Sequence, residues 1–215
     1  GENDTHVLDV SGGGNNGTWN GSATGFADYG ANVSGKYGGG FRFDGVDDYV
    51  NAGSASSIDV NSNFTVSAWI NTDSLADILY YAVSKMDNGA TAGWGMGVVG
   101  THTTCSDVDG TLFVFDRGAS TAVCSSTVIS TNQWHHLSFT NNGSTSILYV
   151  NGVRENNASQ SFTNADSYNL DIGRRDTGLE WNGSLDEVQI WNRTLSADEV
   201  YQLYASNLRK LDRDN

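Results

Sequence analysis

Carboxylates dominate the residues able to do chemistry: 20 aspartates and 5 glutamates, against 8 arginines, 3 lysines and 4 histidines. Aspartate and asparagine favour turns and offer hard oxygens to cations, whereas glutamate mostly decorates helices. Asp9 heads the loop Ser11 to Gly17, whose glycines leave backbone carbonyls unshielded. Calcium wants about six to eight hard oxygens, mixing carboxylates with such carbonyls. Asp44, Asp47 and Asp48 form a second cluster. It reads either as another ion site or, more plainly, as a solvated β-turn.

Catalytic arrangements do not emerge from the same residues. A glycosidase needs two carboxylates about 5–10 Å apart across a scissile bond. The five glutamates, Glu2, Glu155, Glu180, Glu187 and Glu199, form no paired Glu-x-Asp-x-x-Glu strand, and most aspartates fall in turn signals. There is no Gly-x-Ser-x-Gly elbow, phosphate loop or dinucleotide fingerprint. His135 and His136 are adjacent, and neighbouring side chains on a strand point to opposite faces, so they read as packing and hydrogen-bonding residues. The chain is expected not to be an enzyme.

A binding surface needs aromatic faces with a polar rim. Among the six tryptophans, Trp69, Trp134 and Trp191 sit inside strand patterns, while Trp19, Trp94 and Trp181 flank loops. Trp94, with Tyr80, Tyr81 and the Thr101 to Asp109 loop including Asp107, makes the candidate ligand patch. Its plainer reading is a set of buried aromatics bracing long loops. Cys105 and Cys124 bracket the turn signal Asp109-Gly110 and the apolar run Leu112 to Phe115. They read as a disulfide at the ends of neighbouring strands in an oxidising compartment, or else as two buried thiols.

The elements that must position these residues are mostly strands. Phe64 to Ile70 alternates with both faces partly apolar, which places it near a sheet centre. Phe41 to Asp44, Trp94 to Val99, Leu112 to Phe115, Trp134 to Phe139, Ile147 to Val150, Leu170 to Gly173 and Leu185 to Trp191 add further strand signals. Asn142-Gly143 and Asn151-Gly152 supply hairpin turns. One helix is signalled: Ser196-Ala197-Asp198-Glu199 is a capping box, and Val200, Leu203 and Tyr204 then share one face. The pattern predicts an all-β, two-sheet antiparallel sandwich over residues 1–206, with one short C-terminal helix and a linker or tail over 207–215.

Composition narrows the partners. The chain of 215 residues carries a net charge of −14, 26 glycines and no proline. Nucleic acid is disfavoured because phosphate contacts need a basic face. No stretch approaches the roughly 18 consecutive apolar residues of a membrane span. Nine Asn-X-Ser/Thr sites fit a secreted protein.

Several motifs in order resemble the laminin G-like (concanavalin A-like lectin/glucanase) jelly-roll family. They are Asp9 to Thr18, Phe43-Asp44-Gly45-Val46-Asp47-Asp48-Tyr49-Val50, Phe64 to Ile70, Trp134-His135-His136-Leu137, Tyr149-Val150-Asn151-Gly152 and Asn182 to Ser196. Where the family usually opens with a strand carrying an aromatic and an acidic residue, only Thr5 to Leu8 precede Asp9, so that strand is expected either to be shortened or to belong to a longer parent chain, and Ala90 to Cys124 carries no family motif. The resemblance implies a jelly roll in which the two chain ends meet. A structural calcium would then be held by Asp9 and Asp186, with Gly12 and Asn15 offering oxygens. It also implies a recognition module of an extracellular or cell-surface, multidomain protein, whose partner is a glycan or, as the alternative, a cell-surface protein in an adhesive role.

Overall fold

Strand β6 (Asn63–Thr72) shows why its alternation is blurred. Phe64, Val66, Ala68 and Ile70 point into the core between two sheets, while Thr65, Ser67 and Trp69 are also buried on the opposite face. A strand covered on both sides loses the apolar-polar alternation of a half-solvated one. The computed structural model describes residues 6–21, 30–60, 62–76, 79–86, 92–100, 104–162, 167–175 and 178–211.

β6 sits at the centre of a seven-stranded sheet with β3 (Gly30–Ser34), β4 (Gly39–Asp44), β11 (His135–Asn142), β12 (Thr145–Val150), β13 (Val153–Ser159) and β15 (Asn182–Trp191), in the order β13-β12-β11-β6-β15-β4-β3. The second sheet has eight strands, β1 (His6–Val7), β2 (Gly17–Asn20), β5 (Tyr49–Asn51), β7 (Leu79–Met86), β8 (Gly93–Val99), β9 (Thr111–Asp116), β10 (Thr121–Val128) and β14 (Asp171–Ile172), ordered β1-β2-β5-β14-β7-β8-β9-β10. The pairings are antiparallel, so the expected all-β sandwich is the observed architecture. The inner faces meet in one core that includes Phe43, Phe64, Tyr80, Trp94, Phe139 and Trp181.

Turn chemistry sets the registers. Between β12 and β13, Asn151 and Gly152 both have positive φ (50° and 74°), as the tight hairpin requires. Between β11 and β12, the Asn142 side-chain oxygen accepts the amides of Ser144 and Thr145.

The single helix, α1 (Ala197–Leu211), begins at the expected capping box. Glu199 N donates to Ser196 Oγ at 3.3 Å, and Ser196 N donates to Glu199 Oε2 at 2.8 Å. The helix continues past residue 206, where the sequence reading places the start of a tail, because Leu-Arg-Lys-Leu at 208–211 are strong helix formers. Residues 212–215 lie outside the described residues. Val200 packs with Tyr149 and Leu195 on the outer face of the seven-stranded sheet. Tyr204 stacks on Trp69 with ring centres 5.6 Å apart.

His136 is buried in this layer, 5.3 Å from Trp69 and 6.1 Å from Tyr204, ring to ring. Burial pushes its imidazole down to about 4. The unfolded imidazole takes up its proton near pH 6.5, so this contribution to stability is whole above pH 6.5 and is lost as pH falls towards 4. Thermal melts between pH 7 and pH 4.5 should therefore show a steeper acid loss for the native chain than for His136→Gln. The difference is at most about 1.4 kcal/mol per pH unit.

Candidate functional site

The Asp9 loop closes on itself. Asp9 Oδ1 accepts the Ser11 amide at 2.9 Å, and Oδ2 accepts the Asn15 amide at 2.9 Å and the Asn15 side-chain NH2 at 3.2 Å. Bonding from the Ser11 hydroxyl, and then from the Asn15 and Ser11 amides, holds the Asp9 carboxyl down to about 2. Gly12 lies at the loop tip with φ of 87°.

Asp186 lies on β15 opposite Trp69 of β6, on the outer face of the sheet. It accepts the amides of Tyr37 and Glu187, each at 2.8 Å, while burial raises its carboxyl. Asp9 and Asp186 both border one cavity whose lining is drawn from both sheets. Their carboxylates are engaged by separate donors, from residues 11–15 in one case and from residues 37 and 187 in the other.

Asp44, Asp47 and Asp48 occupy the corner where the chain leaves β4 in one sheet for β5 in the other. One ligand oxygen from each lies within 4.8 Å of the others. Asp44 Oδ1 accepts the Val46 amide at 2.8 Å, and Asp48 Oδ2 accepts the Asp44 amide at 3.0 Å. The Asp48 side chain is fully buried, yet its Oδ1 has no hydrogen-bond partner. A Cβ on Gly21 would run into that oxygen, so glycine is needed there to admit the carboxylate. Burial, then the neighbouring charge of Asp44, pushes the Asp48 carboxyl up to about 6. Such a corner could hold a metal ion: it gathers hard oxygens and leaves one of them unsatisfied.

The aromatic patch expected from sequence is core. Trp94 is 1 % exposed and packs on Phe64 and Phe139. Tyr80 is buried against Trp181. Tyr81 is buried on the other face of its sheet with Leu79, Met86, Val99 and Phe113. A Cβ on Gly95 would fall 2.7 Å from the Tyr81 ring, so glycine on β8 lets that ring lie across the strand. None of the three offers a ring face to a ligand. Asp107 belongs to a short turn at Thr104–Asp107, and its side chain is outside the described residues, as are residues 101–103. The expected bridge is present: Cys105 and Cys124 are disulfide-bonded across 19 residues, tying that turn to β10.

A polar face not singled out from the sequence lies on the outer side of the eight-stranded sheet. Register places Asn51 of β5 beside Asp171 of β14, which in turn pairs with Ser84 of β7. Asn51 donates its side-chain NH2 to Asp171 Oδ1 at 3.0 Å, and Arg174 donates from Nε to Asp171 Oδ2 at 2.9 Å. The Arg174 guanidinium lies 3.2 Å from the centre of the Tyr49 ring. Ser84 Oγ fixes the Arg174 carbonyl at 2.9 Å. No spacing in the sequence links 49–51 with 171–174. The available signal was the outward position of Tyr49 and Asn51 either side of inward Val50.

The two histidines face opposite sides of their strand as expected, with His136 packed outward under α1. The expected hydrogen bonds are not found: both ring nitrogens of half-buried His135 and Nδ1 of His136 lack a partner. Among the described residues no helix is long and apolar enough to cross a membrane.

Comparison with known proteins places the fold. The family model described as the concanavalin A-like lectin/glucanases superfamily matches residues 44–201. No curated protein matches the chain. Domain 4 of AbnA, an extracellular GH43 arabinanase of Geobacillus stearothermophilus solved with arabinotriose, is 21 % identical with a TM-score of 0.62, covering 80 % of this chain and 79 % of that one. The binding domain of Paraclostridial Mosquitocidal Protein 1 is 23 % identical with a TM-score of 0.60, over 81 % of this chain and 45 % of that one. The botulinum neurotoxin serotype G binding domain is 18 % identical with a TM-score of 0.64, over 93 % of this chain and 48 % of that one. The chain thus spans less than half the length of either toxin domain.

The corner makes a pH prediction. A raised carboxyl means that the folded state holds its proton more tightly, so in the presence of chelator Asp48 lowers stability as pH rises from about 4 to about 6. Asp48→Asn should remove that component. Chelated melts of the variant should fall less across this window than those of the native chain. Parallel curves would mean that the buried carboxylate is already satisfied.

Proposed function

The chain belongs to the concanavalin A-like lectin/glucanases superfamily, and from that premise we propose that it is a non-catalytic recognition module for carbohydrate, carrying a structural calcium ion, in a secreted or cell-surface protein. The observation that carries the reading is the face built from Tyr49, Asn51, Asp171 and Arg174. Sugars are bound by planar groups against their C–H faces and by amide, carboxylate and guanidinium groups against their hydroxyls. Arg174 is braced by Asp171 and Tyr49 and spends only Nε on the carboxylate. Its fork is therefore oriented before any ligand arrives, which lowers the ordering cost of binding. The fold likeness to an arabinanase domain solved with arabinotriose supports a sugar ligand. The disulfide supports an oxidising compartment.

Calcium fits the corner better than the Asp9–Asp186 pair. The Asp9 carboxylate already has donors on both oxygens, as does Asp186. Asp48 has a buried oxygen without one. Asp44, Asp47 and Asp48 would hold the ion, and its charge would offset their mutual repulsion and lock β4 to β5. A second route remains through the loop end, where Gly12 and Asn15 could add oxygens beside Asp9. The alternative function, an adhesive protein-binding domain, draws support from the two toxin binding domains of the same fold.

Two measurements test the reading. On a glycan array the chain should bind a neutral or acidic oligosaccharide, and Arg174→Ala, assayed where it stays folded because it strips the buried Asp171 carboxylate of its ion-pair partner, should weaken that binding by about tenfold. Silence on every glycan would favour the protein-binding reading. Millimolar calcium at pH 7 should raise the melting temperature of the native chain by several degrees, because a ligand of the folded state must stabilise it. The rise should vanish in Asp48→Asn and persist in Asp9→Asn.

A further inference from the structure

The polar face on the outer side of the eight-stranded sheet has committed its carboxylate and amide oxygens and kept some of its donors. Asp171 is 4 % exposed, and its two oxygens accept different donors: Oδ1 takes the Asn51 side-chain NH2 at 3.0 Å and Oδ2 takes Arg174 Nε at 2.9 Å. Asn51 Oδ1 accepts the Gly53 amide at 2.9 Å, and the Arg174 carbonyl accepts the Ser84 hydroxyl at 2.9 Å. The Tyr49 ring carries the guanidinium 3.2 Å from its centre, so that ring face is taken as well. What remains is on the donor side. Among the described residues, the Arg174 side chain makes no hydrogen bond beyond that of Nε, which leaves both Nη groups, and the Asn51 amide keeps a second N–H. The Arg174 side chain is 17 % exposed and so remains within reach of a ligand.

Resting on the reading of this face as a sugar site, we infer that the group it binds is the carboxylate of a sugar acid, held by the Nη pair of Arg174 with the Asn51 amide beside it. A hydroxyl of a neutral sugar both donates and accepts, so a surface of N–H groups meets only part of its bonding capacity. A carboxylate only accepts, and its two oxygens in one plane match the flat fork of a guanidinium. Such charge-assisted bonds are roughly twice as strong as neutral ones. Asp171 and Tyr49 hold the fork before the ligand arrives, which lowers the freedom lost on binding. The net charge of −14 opposes any anion, but charges farther off than about 10 Å are largely screened at moderate salt, so the contact at Arg174 decides. A sulfate ester carries the same charge on a tetrahedral group, and the test separates the two.

The test uses the whole chain on a glycan array of neutral, sulfated and carboxylated oligosaccharides. Solution binding then follows with oligogalacturonate and sialyllactose, each with its carboxyl groups free or methyl-esterified. Carboxylated glycans should give the strongest signals on the array. Esterification, which removes the charge and little else, should weaken binding at least about tenfold. Arg174→Lys keeps a cation beside Asp171 but loses the planar fork, so it should weaken binding of the acid about tenfold and leave the weaker binding of the ester unchanged. Binding of the acid should also shift the side-chain NH2 resonances of Asn51. Acid and ester bound equally, or signals confined to neutral glycans, would overturn the inference while the sugar reading stands. So would an Arg174→Lys variant that binds the acid as tightly as the native chain. A sulfated glycan bound more tightly than the carboxylated ones would overturn the choice of carboxylate. Silence across the whole array would remove the sugar reading, and this inference with it.

Discussion

The corner between β4 and β5 depends on a buried carboxylate. Asp48 sends one oxygen to the amide of Asp44 and keeps the other out of water without a donor. That arrangement costs free energy unless something positive completes it. It is retained at the point where the chain crosses from the seven-stranded to the eight-stranded sheet, and just beyond it the half-buried Tyr49 and Asn51 belong to the polar outer face. Sheet pairing, the placing of Tyr49 under Arg174 and the space left by Gly21 all lean on how this turn is held.

The two outer faces of the sandwich are then used differently. The seven-stranded sheet is covered by α1, whose Tyr204 stacks on Trp69 and whose Val200 packs on Tyr149. That cover gives the middle of the sheet a second buried face. The eight-stranded sheet keeps part of its outer surface polar, with Asn51, Asp171 and Arg174 bonded in a row. Elsewhere on that sheet Tyr81 lies over Gly95, in a cluster closed by the disulfide-tethered turn at Cys105. The polar surface on which the proposed sugar site rests is therefore confined to one end of the sheet, next to the acidic corner.

Much of this was legible in the residues. Alternation located β4, β6, β8, β9, β11, β12 and β15, the Asn-Gly turns located the hairpins, and the capping box located the helix. The strands that escaped have physical reasons. β7, Leu-Tyr-Tyr-Ala-Val-Ser-Lys-Met, is buried along its whole length and shows no period of two. β13, Val-Arg-Glu-Asn-Asn-Ala-Ser, is a polar edge with no apolar face to announce it. Trp94, Tyr80 and Tyr81 were readable as aromatics near loops, but which face of a strand each occupies depends on registers and on the bulge between Tyr81 and Val83. The Tyr49–Arg174 contact joins segments about 120 residues apart, so only strand pairing reveals it. The acidic corner was visible as a cluster. What could not be read was that one of its oxygens is buried and unpaired, because that depends on the close approach of Gly21.

The most direct measurement is a crystal structure of the chain grown with calcium and an oligosaccharide that it binds. The account predicts an ion ligated by Asp44, Asp47 and Asp48, with the sugar hydrogen-bonded to Arg174 and Asn51 on the outer face of the eight-stranded sheet. Water alone between the three aspartates, or a sugar seated on a different surface, would contradict it.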